Sequence, residues 1–119
     1  MSAKEIEAML ERVMDQIPEV EGLIACDATS GKELSGQTIT EMDHKAIIKA
    51  VLNVFKAAND VGTSVEKGVV SVVRIDSQDG YTMVVGSKKL ILIGLTGLDA
   101  VNSLSLVVRN LKMILDKFG

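Results

Sequence analysis

Apolar residues recur with helical spacing in three segments of this chain. In the first, Ser2–Gln16, they follow one narrow face, and Pro18 ends the segment because proline disfavours helical geometry in the residue before it. Ser2 and Glu5 fit a capping box at its start. Asp99 is expected to cap the third segment. The apolar stripe of that segment is Leu104, Val108, Leu111, Leu115 and Phe118.

The second helical segment, Thr40–Asp60, is apolar around too much of its circumference for the surface of a small monomer. Its polar residues fall in one stripe roughly 80° wide, whereas a surface helix needs an apolar stripe of only a little over about 100°. We expect Thr40 to cap this helix, with Asp43 in its first turn, and Gly62 to end it. The residues expected to face the sheet are Ile47, Val51, Val54 and Ala58.

Five further segments have the composition and alternation of β-strands. They are Val20–Cys26, Lys32–Thr38, Lys67–Ile75, Tyr81–Val85 and Leu90–Leu95. The segment at 32–38 is polar enough for an edge, whereas 90–95 is apolar on both faces and should lie centrally, covered on both sides. The order α-β-β-α-β-β-β-α predicts an α+β fold. We expect a profilin-like sandwich, a five-stranded antiparallel sheet with one helix on one face and two on the other. Residues 1–119 should form one domain.

The segment Lys67–Ile75 is expected to lie at an edge of the sheet. From Val69 to Ile75 it contains no proline and only Arg74 as a charge, so the edge would favour association unless it is paired. Pairing with the same strand of a second copy gives a two-fold contact, and small residues on the second helix would let another helix approach closely. The expected dimer interface is Ala46, Ile48, Ala50, Leu52, Ala57, Val69, Val70, Ser71, Val72 and Val73.

Composition narrows the function classes. Lys and Arg number 13 against 16 Asp and Glu, the net charge is −3, and only 3% of residues are aromatic. Nucleic-acid binding is therefore not expected, since it relies on basic surface and on aromatic groups for stacking. The N-terminus lacks the features of a signal peptide, and the apolar runs are too short to span a bilayer. We expect a cytoplasmic protein with no direct membrane insertion.

Few residues offer catalytic or metal-binding chemistry. Cys26 and His44 lie on different segments, and no carboxylate is obviously tied to either. Cys26 is expected to be a small buried hydrophobe, and His44 an exposed residue in a first helical turn. The segments 27–31 and 86–89 lack the patterns of calcium and phosphate loops and are expected to be hairpin turns. No catalytic residue, cofactor or metal is predicted, and an acyl- or thiol-transfer enzyme using Cys26 stays as a third hypothesis.

Together these features resemble the Roadblock family, which includes the dynein light-chain roadblock proteins and bacterial and archaeal relatives. The resemblance extends over essentially the whole chain. Besides the order of elements, it rests on the PEVEGL start of the first strand (18–23) and the Asp-x-x-x-Gly turn at Asp27–Gly31. It also rests on the alanine-rich second helix and on YTMVVGSKKLILIGLTG (81–97) before the last helix.

The resemblance implies a non-catalytic scaffold that pairs with itself or with a paralogous Roadblock chain through its third strand and second helix. It also implies binding and regulation of a Ras-like small GTPase, in some relatives by stimulating GTP hydrolysis. The contact is expected on the polar ridge Lys45, Lys49, Asn53 and Lys56, because GTPase switch regions are often acidic; otherwise this ridge is only a solvated helix face. The alternative function is a small-molecule-sensing profilin-like domain without a GTPase partner.

Overall fold

The computed structural model describes residues 3–119, so Ser2, and with it the predicted capping box, lies outside the described residues. Three helices and five strands follow the predicted order. They are α1 (Ala3–Gln16), β1 (Val20–Asp27), β2 (Glu33–Thr38), α2 (His44–Ser64), β3 (Val72–Ser77), β4 (Gly80–Gly86), β5 (Leu90–Gly97) and α3 (Leu104–Phe118). A short 3-10 turn at Leu98–Ala100 lies between β5 and α3.

The five strands form one antiparallel sheet in the order β2-β1-β5-β4-β3. β5 is the central strand, and its side chains alternate between two cores. Leu90 and Leu92 pack with α1 and α3, whereas Ile91 and Ile93 pack with α2. This double burial explains why the strand has an uninterrupted apolar sequence. The predicted fold class is confirmed, with one helix on one face of the sheet and two on the other.

The start and the end of α2 differ from the prediction. Asp43, rather than Thr40, is the N-cap, because its carboxylate accepts a hydrogen bond from the Ala46 amide at 3.1 Å. Gly62 does not end the helix but is buried within its last turn. A Cβ on Gly62 would overlap the backbone oxygen of Gly68, so glycine is needed there for close packing rather than for termination.

The following connection is longer than expected, and this shortens the next strand. β3 begins at Val72 and not at Lys67, since residues 65–71 first lead the chain from the end of α2 across to the sheet edge. Two residues of this connection, Glu66 and Gly68, have positive φ angles, which interrupt an extended strand.

The final helix was also predicted with the wrong start. Asp99 belongs to the 3-10 turn, and α3 begins at Leu104 after Ser103, whose side chain makes no capping hydrogen bond. The buried stripe of α3 is Leu104, Val107, Leu111 and Ile114. The predicted residues Val108, Leu115 and Phe118 are only partly buried, next to this stripe. The centre of the buried face of α3 was therefore predicted at the wrong angle around the helix axis.

The same kind of error affects α2, and it matters for function. The buried residues of α2 are Ile48, Val51, Phe55 and Gly62. Of the four residues predicted to face the sheet, Val51 is buried, Ile47 and Ala58 are only half-buried, and Val54 is exposed. Phe55 sets this orientation because its ring lies over Gly86, where an added Cβ would be 2.7 Å from the ring. The helix is therefore turned so that Val54 remains 37% exposed.

Candidate functional site

One flank of α2 is apolar and uncovered by the chain itself. We define the α2 flank as Ile47, Ala50, Val54, Ala57 and Val61. Ile47 is half-buried and the other members are exposed, Val61 at 61%. Since a helix on a small monomer normally turns polar residues to this position, the flank indicates a contact with another surface.

The free edge of β3 lies beside this flank. The Gly86 amide donates to the Ser71 oxygen at 3.0 Å, and Ser77 faces Gly80 across the hairpin. Hydrogen-bonding groups alternate along an antiparallel strand, so residues 71, 73, 75 and 77 face β4. Val72, Arg74 and Asp76 therefore direct their amides and carbonyls away from the sheet. Within residues 3–119 no strand pairs with this edge.

The α2 flank and β3 run side by side in opposite directions. Ile47 shares an open groove of about 430 Å³ with Leu95 and the β3–β4 hairpin at 77–82. At the other end, Gly62 lies against Gly68 and Val70. Between these points, Val73 packs partly on the α2 side of the sheet. Helix flank and strand edge thus form one continuous surface, the flank–edge surface.

Of the ten residues predicted for a dimer interface, some are exposed and others pack inside the chain. Ala46, Ala50 and Ala57 are exposed on or next to the α2 flank. Ile48 is only 4% exposed, and Leu52 is half-buried beside Gly31, so these two pack inside the chain.

The predicted strand residues are divided in the same way. Val69 is 83% exposed in the connection before β3, where Ser71 is also exposed. The Val70 amide donates to the Asn59 side chain at 2.8 Å. Val72 and Val73 are half-buried in β3 and pack on opposite sides of the sheet.

The apolar residues of the flank–edge surface that were not predicted as site residues are Ile47, Val54, Val61 and Ile75. The first two had been assigned to the core because the apolar arc of α2 is wide and its centre was misplaced. A signal for the correct rotation was present in the sequence. Phe55 is the largest apolar side chain of this helix, and centring the core on it would have left Val54 outside.

The predicted GTPase-contact residues Lys45, Lys49, Asn53 and Lys56 are all exposed. We call them the lysine stripe. Lys45, Lys49 and Asn53 line one side of a groove of about 300 Å³, whose other side is formed by the β1–β2 turn at Ser30 and Gly31. In the part of the chain that the structure describes, no carboxylate forms an ion pair with these lysines. The stripe therefore keeps its positive charge available.

The β1–β2 turn beside the lysine stripe is held by Asp27. Its carboxylate accepts hydrogen bonds from the Ser30 amide at 2.8 Å, the Thr29 amide at 2.9 Å and the Ser30 hydroxyl at 3.1 Å. These bonds lower the pKa of Asp27 below its usual range, the Ser30 amide contributing most. The carboxylate thus organises the turn that forms one wall of the groove.

The two residues considered for catalysis, Cys26 and His44, have different surroundings. Cys26 is fully buried on the α2 side, and burial, then the charges of Asp27 and Glu33, raises its pKa to about 11. Nδ1 of His44 lies 3.0 Å from Glu33, and its Nε2 lies 3.4 Å from the Thr38 hydroxyl. No group of three or more His, Cys, Asp or Glu side chains among residues 3–119 is placed to hold a metal ion.

Neither a protein-family model nor a curated protein matches the sequence. Solved structures do match the fold. Myxococcus xanthus MglB aligns with a TM-score of 0.75 at 12% identity, covering 97% of this chain and 90% of that one. A Roadblock/LC7 domain from Streptomyces avermitilis gives 0.71 at 13% identity, covering 92% and 96%. The gliding protein MglB of Thermus thermophilus gives 0.72 at 9% identity, covering 80% and 73%.

These likenesses place the chain in the α+β sandwiches that have a five-stranded antiparallel sheet between one helix and two. More particularly, the chain has the fold of Roadblock/LC7 domains, which confirms the resemblance seen in the sequence at the level of fold. No helix between residues 3 and 119 combines the length and apolar character needed to cross a membrane.

Proposed function

We propose that this protein is a non-catalytic dimeric scaffold that binds and regulates a Ras-like small GTPase in the cytoplasm. The observation that carries the proposal is the flank–edge surface, where an uncovered apolar helix flank adjoins an unpaired strand. Each of these features alone favours association, and together they match a partner that supplies both a helix and a strand. A second copy of the chain, or a paralogue with the same fold, supplies both.

Association through a two-fold axis would pair β3 with β3 and place the two α2 flanks against each other. The two five-stranded sheets would then join into one, and the free edge of β3 in each copy would form hydrogen bonds with the other copy. One of the solved structures with this fold is described as MglB with tetrameric arrangement, so self-association occurs on this fold in that protein. This supports self-association of the present chain.

The class of partner comes from the Roadblock resemblance, and the lysine stripe is the surface we propose for it. Lys45, Lys49 and Lys56 lie on the side of α2 that faces away from the flank–edge surface, so a dimer would leave them accessible. Their unpaired charges would attract the acidic switch regions of a small GTPase and raise the association rate, an effect that falls with increasing salt.

Affinity capture tests the proposal. The immobilised chain is incubated with cytosol of its own source cell in the presence of a non-hydrolysable GTP analogue or of GDP, and bound proteins are identified by mass spectrometry. We expect a small GTPase, retained better with one nucleotide than with the other. Lys49→Glu with Lys56→Glu should abolish retention, whereas the matched reversal Arg109→Glu with Lys112→Glu on the exposed side of α3 should not.

Two results would count against it. A monomeric mass by light scattering, with no paralogous chain among the captured proteins, would contradict the proposed dimer. Equal capture by both charge-reversed variants removes the lysine stripe as the docking surface. The rate of GTP hydrolysis, measured with the captured GTPase in the presence and absence of this chain, decides whether regulation includes stimulation.

The small-molecule alternative has one groove in its favour. A groove of about 550 Å³ lies between the C-terminal half of α2 and the β4–β5 turn, with Phe55, Val69 and Val70 among its lining residues. However, the Asn59 side chain there is already engaged, donating to the Phe55 oxygen and accepting from the Val70 amide. The Ser87 hydroxyl is engaged as well, accepting from the Lys89 and Leu90 amides at 3.2 Å, so the observations favour the scaffold.

A further inference from the structure

The free edge of β3 carries two opposite charges that are placed to select how two copies pair. Arg74 and Asp76 are separated by one residue, so both point to the same side of the sheet, the side of α1 and α3. Arg74 bonds Asp76 through Nε at 2.6 Å and Nη2 at 3.0 Å, and its guanidinium lies over the Tyr81 ring. Both side chains remain about half exposed, at 49% and 55%.

The hydrogen-bonding groups of the edge limit the available pairings. Val72, Arg74 and Asp76 direct their amides and carbonyls outward, so a two-fold antiparallel pair must match these positions with one another. This leaves registers centred on residue 72, 73, 74, 75 or 76, in which the centre residue faces its own copy in the partner. A centre at Ser77 would set the outward residues of β3 opposite the β3–β4 turn and β4, so it forms no ladder with the partner strand. A register centred between two residues would set an even-numbered residue, whose amide and carbonyl point outward, opposite an odd-numbered one, whose groups point towards β4. Such a register forms no hydrogen-bond ladder.

Charge and amide availability separate these five registers. A centre at Arg74 sets Arg74 against the partner's Arg74, and a centre at Asp76 sets two carboxylates against each other; both oppose like charges. A centre at Val72 sets Arg74, and a centre at Val73 sets Asp76, opposite the partner's Val70, whose amide is already donated to Asn59. A centre at Ile75 sets Arg74 opposite the partner's Asp76, and by symmetry does so twice.

We propose that two copies pair through β3 in the register centred on Ile75, with Arg74 and Asp76 as the residues that specify this register. The inference rests on the proposed dimer and adds which residues face each other. In this register each carboxylate lies between the Arg74 of its own chain and the partner's Arg74.

The position of α2 agrees with this centre. Ile47 lies near the end of β3 and Gly62 near the connection before it, so Val54, midway between them, lies beside the middle of the strand. A two-fold axis through Ile75 therefore brings Val54 against the partner's Val54. The apolar contact of the helices and the charged contact of the strands share one axis.

Single-cysteine crosslinking tests the register. Residues with odd numbers form the non-hydrogen-bonded pairs, in which Cα atoms lie about 4.5 Å apart, within the range that a disulfide spans. Under mild copper-phenanthroline oxidation, Ile75→Cys should therefore give a covalent dimer. Val73→Cys, with its two copies displaced by about 13 Å along the strands, should not. Wild type is the control, since its Cys26 is buried.

The outcomes separate the register from the dimer. A dimeric mass with faster crosslinking of Val72→Cys, Val73→Cys, Arg74→Cys or Asp76→Cys overturns the Ile75 register and leaves the proposed function standing. A dimeric mass with no crosslinking at any of these positions overturns strand pairing itself. A monomeric mass in every variant overturns both the register and the proposed homodimer.

Charge reversal gives an independent readout. Arg74→Asp makes the edge wholly acidic and Asp76→Arg makes it wholly basic, so each variant alone should dimerise at least roughly tenfold more weakly than wild type. An equimolar mixture should recover the affinity as a heterodimer, because opposite charges again face each other. Failure of the mixture to recover affinity would contradict the proposed role of these residues, since loss of the ion pair within each chain is the same in mixed and unmixed samples.

Discussion

Replacing Val54 and Val61 by serine should dissociate the dimer without unfolding the chain. Both residues lie on the α2 flank and outside the chain's own core, at 37% and 61% exposure. Serine removes the apolar surface that the partner would cover, and it keeps a small side chain that an exposed helix position tolerates. The perturbation therefore acts on association far more than on folding.

The magnitude follows from the exposed fractions. Those of Val54 and Val61 together amount to about one whole valine side chain per copy. Burying one valine fully is worth about 1.5–3 kcal/mol, and a two-fold interface contains this contribution twice, giving about 3–6 kcal/mol. Because each 1.4 kcal/mol is a factor of ten, the dimer dissociation constant should rise by about a hundredfold to ten-thousandfold.

Sedimentation equilibrium over a range of micromolar concentrations measures this constant, and circular dichroism verifies that the variant is folded. The matched control is Val101→Ser with Leu106→Ser. These residues are 52% and 47% exposed, a similar total, but they lie in the turn before α3 and on α3. The control should dimerise like wild type.

Two results would refute the reasoning. If Val54→Ser with Val61→Ser left the dissociation constant within about threefold of wild type, the α2 flank would not be the interface, since a change of that size corresponds to less than about 1 kcal/mol. If the control variant dissociated instead, the interface would lie on the α1–α3 side of the sheet.

Three further predictions concern the chain itself. Gly62→Ala should lower the free energy of unfolding in urea by about 1–3 kcal/mol, despite a gain of about 1 kcal/mol in helix propensity, because the added Cβ would overlap the Gly68 oxygen. Asp27→Asn should lower the melting temperature at neutral pH, and the difference from wild type should disappear as the pH falls well below about 4. Cys26 should react with a thiol reagent at pH 8 only in urea-unfolded protein, because burial raises its pKa to about 11.

Each of these has a control or a contradicting result. Ala8→Gly on the exposed face of α1 measures helix propensity alone, and a Gly62→Ala variant more stable than wild type would show that the α2 end is not closely packed. For Asp27, the lowered pKa means that its stabilisation is present above the pKa of the unfolded chain and is lost as the carboxylate protonates in the folded state. A difference that persists unchanged at low pH contradicts this. Rapid reaction of native Cys26 contradicts its burial.

Local pattern was sufficient for the number, type and order of the elements. Helical and alternating spacing identified all three helices and five strands, and the apolar run at 90–95 identified the central strand, because burial on both faces leaves no place for polar residues. The boundaries were less accurate. Asp43 and Thr40 are both good caps by residue type. In the folded chain the Thr40 carbonyl accepts a hydrogen bond from the Thr38 hydroxyl at 2.6 Å, and the helix begins after Asp43, whose carboxylate accepts from the Ala46 amide.

The sequence by itself determined that α2 has more apolar surface than one sheet contact uses, and that an edge strand with few charges lies next to it along the chain. Which part of that surface is left over was decided by tertiary structure. Phe55 packs over Gly86 on a distant strand, and this contact rotates α2 until Ile48 is buried and Val54 is exposed. A helical wheel drawn from the sequence cannot show this rotation of α2. The rotation depends on the contact between Phe55 and Gly86, which come together only in the folded protein.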